Sequence, residues 1–137
     1  MSDTVKIQKE NWEYLQENGF FKNEKENITV FRWVSRLNNM NYVTNTEGKA
    51  ASINDLVKLG ALDKKETSKL LTRLRKHGLM IQKTSDKDYF IFNPNLAFKT
   101  YDKKLFSRLE LDFILTRSKN EVEKLPVSVW DMDLSEC

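Results

Sequence analysis

The chain has 137 residues, 39% hydrophobic and 31% charged, with a formal net charge of +3. That is the length of one compact domain with its own core, and a composition too apolar for a disordered chain. No apolar run approaches the roughly 20 residues that cross a bilayer, the first five residues lack the basic and apolar regions of a secretory signal, and the single Cys137 can form no internal disulfide and offers no Cys-based metal site; a cytoplasmic, globular protein without membrane, metal or cofactor is expected.

Residues 5–21 predict a short helix that packs through Val5, Ile7, Trp12, Tyr14 and Leu15 and stops near Gly19. Residues 27–41 predict a second, capped by Asn27, with Ile28, Phe31, Val34 and Leu37 at spacings of three. Residues 42–51 predict a turn around Gly48 with a short strand at each end. Ser52 and Asp55 form a capping pattern for a third helix, apolar at Ile53, Leu56, Val57 and Leu59 and ended by Gly60. Asp63 and Glu66 repeat that offset, so a fourth helix spans 63–77 and Gly78 closes it. After Gly78 the period changes: "LMIQKT" and "YFIFNP" are strand-like, "SDKD" joins them as a hairpin, and Pro94 ends the second strand. From Asp102 a long helix runs toward Pro126. Its stripe is Leu105, Phe106, Leu109, Phe113 and Ile114, widened by Leu111 and Leu115.

The expected fold class is mainly α with a small β-hairpin wing (α+β): a winged helix-turn-helix with N- and C-terminal helical extensions. The segments are 1–26, an N-terminal helical extension; 27–100, the winged-helix domain; 101–126, a C-terminal helix; and 127–137, an acidic tail. The apolar stripe of the C-terminal helix exceeds what one neighbour usually covers, which predicts a homodimer presenting two recognition helices about 34 Å apart. The alternative is that the N-terminal helix covers it with Trp12, Leu15 and Phe20.

Charge is unevenly spread. Residues 64–83 carry Lys64, Lys65, Lys69, Arg73, Arg75, Lys76 and Lys83 against Glu66, a local +6. Residues 120–137 carry Glu121, Glu123, Asp131, Asp133 and Glu136 against Lys124, a local −4. On a helical wheel Thr67, Leu70, Leu71 and Leu74 share one arc, while Lys65, Ser68, Lys69, Thr72 and Lys76 lie opposite, flanked by Arg73 and Arg75. Cations neutralise phosphates, and short hydroxyl side chains let a helix approach a groove floor. Lys64, Lys65, Ser68, Lys69 and Thr72 are the expected base-edge readers, because the N-terminal part of a recognition helix usually reaches the bases. Arg73, Arg75 and Lys76 are assigned to phosphates, and Lys83 and Lys87 to backbone contacts from the wing. About six neutralised phosphates would lower affinity about 10³-fold between 50 and 200 mM salt. A solvated face that serves solubility, or a basic face that meets an acidic protein, are the alternatives to DNA.

"TSKLLTRLRKHGLMIQK" resembles the recognition helix and first wing strand of MarR-type winged helix-turn-helix proteins, through Leu74-Arg75-Lys76-His77-Gly78-Leu79-Met80. "YFIFNPNLAFK" is similar to the Asn-Pro segment of RepL-type replication initiators of firmicute plasmids and related phage proteins, through Asn93, Pro94, Phe98 and Lys99. The resemblance implies double-stranded DNA as partner, in a transcription regulator or a plasmid or phage accessory factor, or alternatively a replication initiator, located with the nucleoid. MarR-type wings carry Asp-x-Arg at the tip; this chain has Asp86-Lys87-Asp88, so Lys87 would act only as a point charge.

Trp33 sits among Phe31, Val34 and Leu37 and reads as packing rather than base stacking. His77 stands alone in the last turn of its helix, where a cation is favoured. No Gly-rich phosphate loop, Ser-His-Asp set or carboxylate pair suggests catalysis, so no enzyme is expected.

Overall fold

A computed structural model describes residues 4–100, 102–116 and 125–128. The order is β1 (Lys6–Ile7), α1 (Lys9–Glu17), α2 (Glu24–Val34), α3 (Ile53–Leu59), α4 (Lys64–Lys76), β2 (Met80–Thr84), β3 (Asp88–Phe92), β4 (Ala97–Phe98) and α5 (Lys103–Thr116). Among the described residues it is an α+β fold of five helices and two small antiparallel pairs, β1 with β4 and β2 with β3.

The first helix is shorter than the expected span of 5–21. Val5 and Ile7 are two residues apart, a strand spacing, and β1 pairs with β4 in the register Lys6↔Phe98 and Ile7↔Ala97. The second helix is capped four residues earlier than expected. Asn23, not Asn27, accepts the Glu26 backbone N–H through its side chain, whereas Asn27 lies inside the helix and accepts from the Trp12 indole at 2.8 Å. The helix also ends at Val34, where the Ser35 hydroxyl turns back to donate to the Arg32 carbonyl at 2.7 Å. Its buried face is Thr29, Val30, Trp33 and Val34, while Ile28 and Phe31 of the expected stripe are exposed.

The turn at 45–48 joins two bridged segments, Thr44 opposite Ala50. Helix α3 starts with a complete capping box. The Ser52 side chain accepts the Asp55 N–H at 3.1 Å, and the Asp55 carboxylate accepts the Ser52 N–H at 2.9 Å. That backbone hydrogen bond, helped by others from the Asn45 and Ser52 side chains, outweighs the opposing effect of burial and holds the Asp55 carboxyl below the ordinary aspartate range. We expect Ser52→Ala to cost about 1 kcal/mol in a denaturant titration.

A four-residue turn, Gly60 to Asp63, separates α3 from α4. Gly60 is pressed against α2: a Cβ there would lie 2.6 Å from Thr29 Cγ2. The adjacent Ala61 N–H donates to the Thr29 hydroxyl at 2.8 Å. Asp63 caps α4 by accepting the Glu66 N–H at 2.8 Å, and Gly78, at φ +74°, carries the chain out of α4 into β2.

The β2–β3 hairpin has both faces covered. Met80, Phe90 and Phe92 join the main core with Trp12, Leu15, Trp33, Leu56, Leu70, Leu71 and Leu74. Ile81, Ile91 and Tyr89 face a second cluster built with Leu105, Phe106, Leu109 and Phe113 of α5. Residues 41–43 extend the sheet on the β3 side, with Phe92 N–H donating to the Asn41 carbonyl and Val43 N–H to the Phe90 carbonyl, each at 3.0 Å. Helix α5 therefore spends Leu105, Phe106, Leu109 and Phe113 within its own chain, and that stripe no longer argues for a second protomer. Nor does α1 cover it, since Trp12, Leu15 and Phe20 belong to the main core. Leu111 remains exposed. The N-terminal segment is likewise part of the main core rather than an appendage.

Buried asparagines knit the loop after β3. Asn93 Nδ2 donates to the Gly78 carbonyl at 3.0 Å, and Asn41 Nδ2 donates to the Phe92 and Ala97 carbonyls at 2.8 and 3.1 Å. Asn11 Nδ2 donates to the Asn95 carbonyl at 2.7 Å and the Val127 carbonyl at 2.8 Å, and Asn11 Oδ1 accepts the Val127 N–H at 2.9 Å. The start of the expected solvated tail is thus pinned to α1; residues 129–137, including Trp130 and Cys137, lie outside the described part of the chain, as do residues 117–124.

Candidate nucleic-acid interface

Helix α4 has 13 residues, about 20 Å of rod at 1.5 Å per residue. Thr67, Leu70, Leu71 and Leu74 are buried against the main core. On the other side Lys64, Lys65, Ser68, Lys69, Thr72 and Lys76 are all exposed. The face follows from sequence spacing alone: the leucines fix the rotation of the helix, and the cations fall wherever the core does not. The Thr72 hydroxyl donates to the Ser68 carbonyl one turn back at 3.0 Å, and beside these two short side chains lies a shallow trough. Lys22, on the turn before α2, lines that trough with Ser68, Lys69, Thr72 and Arg73. No periodic signal in the sequence marks Lys22, because it arrives from a different segment.

Three of the four other expected contacts, Arg73, Arg75 and Lys83, are placed differently. Arg73 turns back into the protein. Its two Nη atoms bind the Glu26 carboxylate at 2.8 and 2.7 Å, and Nη1 also donates to the Phe20 carbonyl at 2.8 Å. The guanidinium stacks over the Phe20 ring, 5.4 Å from its centroid. Its charge is neutralised internally, which corrects its assignment to a phosphate. Arg75 is half-buried and donates to the Gln82 side chain at 3.0 Å, tying α4 to β2. Lys83 pairs with Asp112 of α5 at 2.7 Å, so it secures the hairpin to α5 rather than standing free at the wing. Lys87 is exposed at the hairpin tip. Beside it, hydrogen bonds from the Ser85 and Tyr89 hydroxyls hold the Asp86 carboxyl below the ordinary aspartate range. With Asp86 and Asp88 against Lys87, the tip carries a net −1, unlike α4.

Burial works to raise the Glu26 pKa, but the Arg73 hydrogen bonds, the Lys22 backbone N–H and the two positive charges outweigh it and hold the carboxyl below its ordinary value. The sign follows directly: this stabilisation is complete above the ordinary glutamate pKa and disappears as pH falls through the lowered one. With the Arg73 and Glu26 side chains 18% and 6% exposed, Arg73→Ala should cost about 2–3 kcal/mol near neutral pH. The loss should shrink as the pH is taken below 4, read by chemical denaturation across a pH series.

Comparison with protein-family models, with curated proteins and with solved structures finds no match for this chain. Among the described residues no helix is long and apolar enough to cross a membrane.

Proposed function

We propose that the chain is a double-stranded DNA-binding protein of the winged helix-turn-helix class, and that α4 enters the major groove. The observation that carries this reading is the single exposed face of α4, where Lys64, Lys65, Ser68, Lys69, Thr72 and Lys76 lie together above a leucine-anchored core. Two features support it further: the α3–turn–α4 arrangement, and the β2–β3 hairpin that follows it. Ser68 and Thr72 approach base edges; Lys64, Lys65 and Lys69 enter the groove with them, reaching base edges and neutralising the flanking phosphates, while Lys76 and Lys22 bind phosphates on either side. The class serves transcription control and plasmid or phage replication alike, and sequencing of bound genomic fragments separates these roles.

Counting Lys22, Lys64, Lys65, Lys69 and Lys76 as the contacts, about five phosphates are neutralised. Affinity for a mixed-sequence duplex should then fall with a log–log slope near −4.5, about 5 × 10²-fold from 50 to 200 mM salt. Fluorescence anisotropy with a labelled duplex measures it. A flat salt dependence, or no binding at 50 mM, would reject DNA as the partner and favour an acidic protein on the same face.

A further inference from the structure

A groove of about 530 Å³ opens between α1 and α2, lined by the apolar side chains Ile7, Trp12, Ile28 and Phe31. Ile28 is 40% and Phe31 53% exposed. The Phe31 ring meets Trp12 edge-on, with centroids 6.3 Å apart, and the Trp12–Asn27 hydrogen bond ties the two helices together. The surface is therefore preformed, and large apolar side chains grouped like this mark an interaction site.

The charges around the groove define what fits it. On α2, Glu24, Ile28 and Arg32 follow one another at steps of four and are all exposed. They form a single ridge with an acid at one end, an apolar side chain in the middle and a base at the other end. The α1 rim repeats the theme with Lys9 and Glu13, a cation and an anion four residues apart. Such a ridge is its own complement. Turned end for end by a two-fold axis at Ile28, it sets Glu24 against Arg32 and Arg32 against Glu24. Rows at steps of four are inclined about 26° to the helix axis, so two of them laid together cross their helices at about −50°, a common packing angle. Among the described residues none of Glu24, Arg32, Lys9 and Glu13 enters an ion pair. The Arg32 side chain makes one long bond, from Nη1 to the Gly60 carbonyl at 3.4 Å, and keeps further N–H groups for a carboxylate. Glu26, which binds Arg73 of α4, lies about 200° from Ile28 and about 140° from Phe31 around α2. A body seated on Ile28 and Phe31 is thus on the side of α2 away from α4.

We propose that a second copy of the chain occupies the groove. The two α2 helices pack antiparallel across a two-fold axis at Ile28, Ile28 and Phe31 of each copy fill the groove of the other, and Glu24–Arg32 pairs close both ends. This surface is distinct from the α5 stripe, which the chain covers by itself. The basic face of α4 stays open in both copies, and nothing in the pairing depends on what α4 binds.

The test is sedimentation equilibrium of the full chain, without nucleic acid, from about 1 to about 500 µM, which brackets a dimer of micromolar affinity. The mass should rise from 16.2 kDa toward twice that value. Ile28→Ser and Phe31→Ser, both at exposed positions, should each hold the chain as a monomer. Glu24→Arg or Arg32→Glu alone sets like charges opposite one another at both ends of the interface, and should weaken association about tenfold or more. The double variant carrying both changes should regain it, and so should an equimolar mixture of the two single variants. A parent chain that stays monomeric throughout overturns the proposal and leaves the groove to a different occupant. A dimer that survives both Ile28→Ser and Phe31→Ser overturns it by placing the interface elsewhere. Failure of both the double variant and the mixture to recover association overturns the antiparallel pairing.

Discussion

Charge reversal at Lys65 and Lys69 together is expected to weaken duplex binding by about 10²-fold or more at 100 mM salt. Both side chains are exposed on α4, one turn apart, on the face opposite Leu70, Leu71 and Leu74. Each substitution removes one phosphate attraction and adds one repulsion, and about 1.4 kcal/mol per site gives the tenfold factor that multiplies across the two. The log–log salt slope should fall by roughly two units, since two counterion-releasing contacts are gone. Thermal stability should change little, because the wild-type lysines lie on the solvent side of the helix. Arg73→Ala should behave in the opposite way. It destabilises the fold through its loss at Glu26 and leaves the salt slope near its original value. A double reversal that binds DNA as the parent does would show that α4 is not the contact surface.

The largest effect on stability is expected from Asn41→Ala, about 3–5 kcal/mol in a denaturant titration. Asn41 is 1% exposed and sits at φ +65°. Its Nδ2 serves two carbonyls, of Phe92 and Ala97, from segments more than 50 residues away. Removing the amide leaves those acceptors short of a donor in the interior, at about 1–3 kcal/mol each. The left-handed backbone then adds about 1–2 kcal/mol for a residue with a Cβ and no local hydrogen bond. Asn41→Gly isolates the two contributions: it keeps the hydrogen-bond loss but relieves the backbone, so it should cost about 1 kcal/mol less than alanine. Equal losses for the two variants would assign the whole effect to the amide. A loss below 1 kcal/mol in both would show that this crosslink contributes little to the fold.

The parts of this fold that were legible in the sequence are those written locally. Ser52 with Asp55 and Asp63 with Glu66 mark two helix starts because a cap and its partner are three residues apart. The change from period 3.6 to period 2 at Gly78 marks the hairpin for the same reason. In α2 the reading fails on arithmetic. Steps of three drift by about 60° each against a 100° rotation, so Ile28 and Leu37 cannot share a face. The buried side chains Val30, Trp33, Val34 and Leu37 mix steps of three, one and three. The basic face of α4 was visible because its leucines are dense enough to fix the rotation. The fates of Arg73 and Lys83 were not visible, since their partners, Glu26 and Asp112, are supplied by distant elements. The buried asparagines were equally hidden: at sequence level Asn41, Asn93 and Asn95 look like ordinary turn formers.

The two-sided packing of the β2–β3 hairpin has a thermodynamic consequence for any encounter with a duplex. Phe90 and Phe92 hold one side in the main core, and Ile81 and Ile91 hold the other under α5. The arm that would approach nucleic acid has already surrendered its conformational freedom during folding. Association then resembles the docking of two preformed bodies, with a modest heat-capacity change and a rate set by long-range attraction rather than by local ordering.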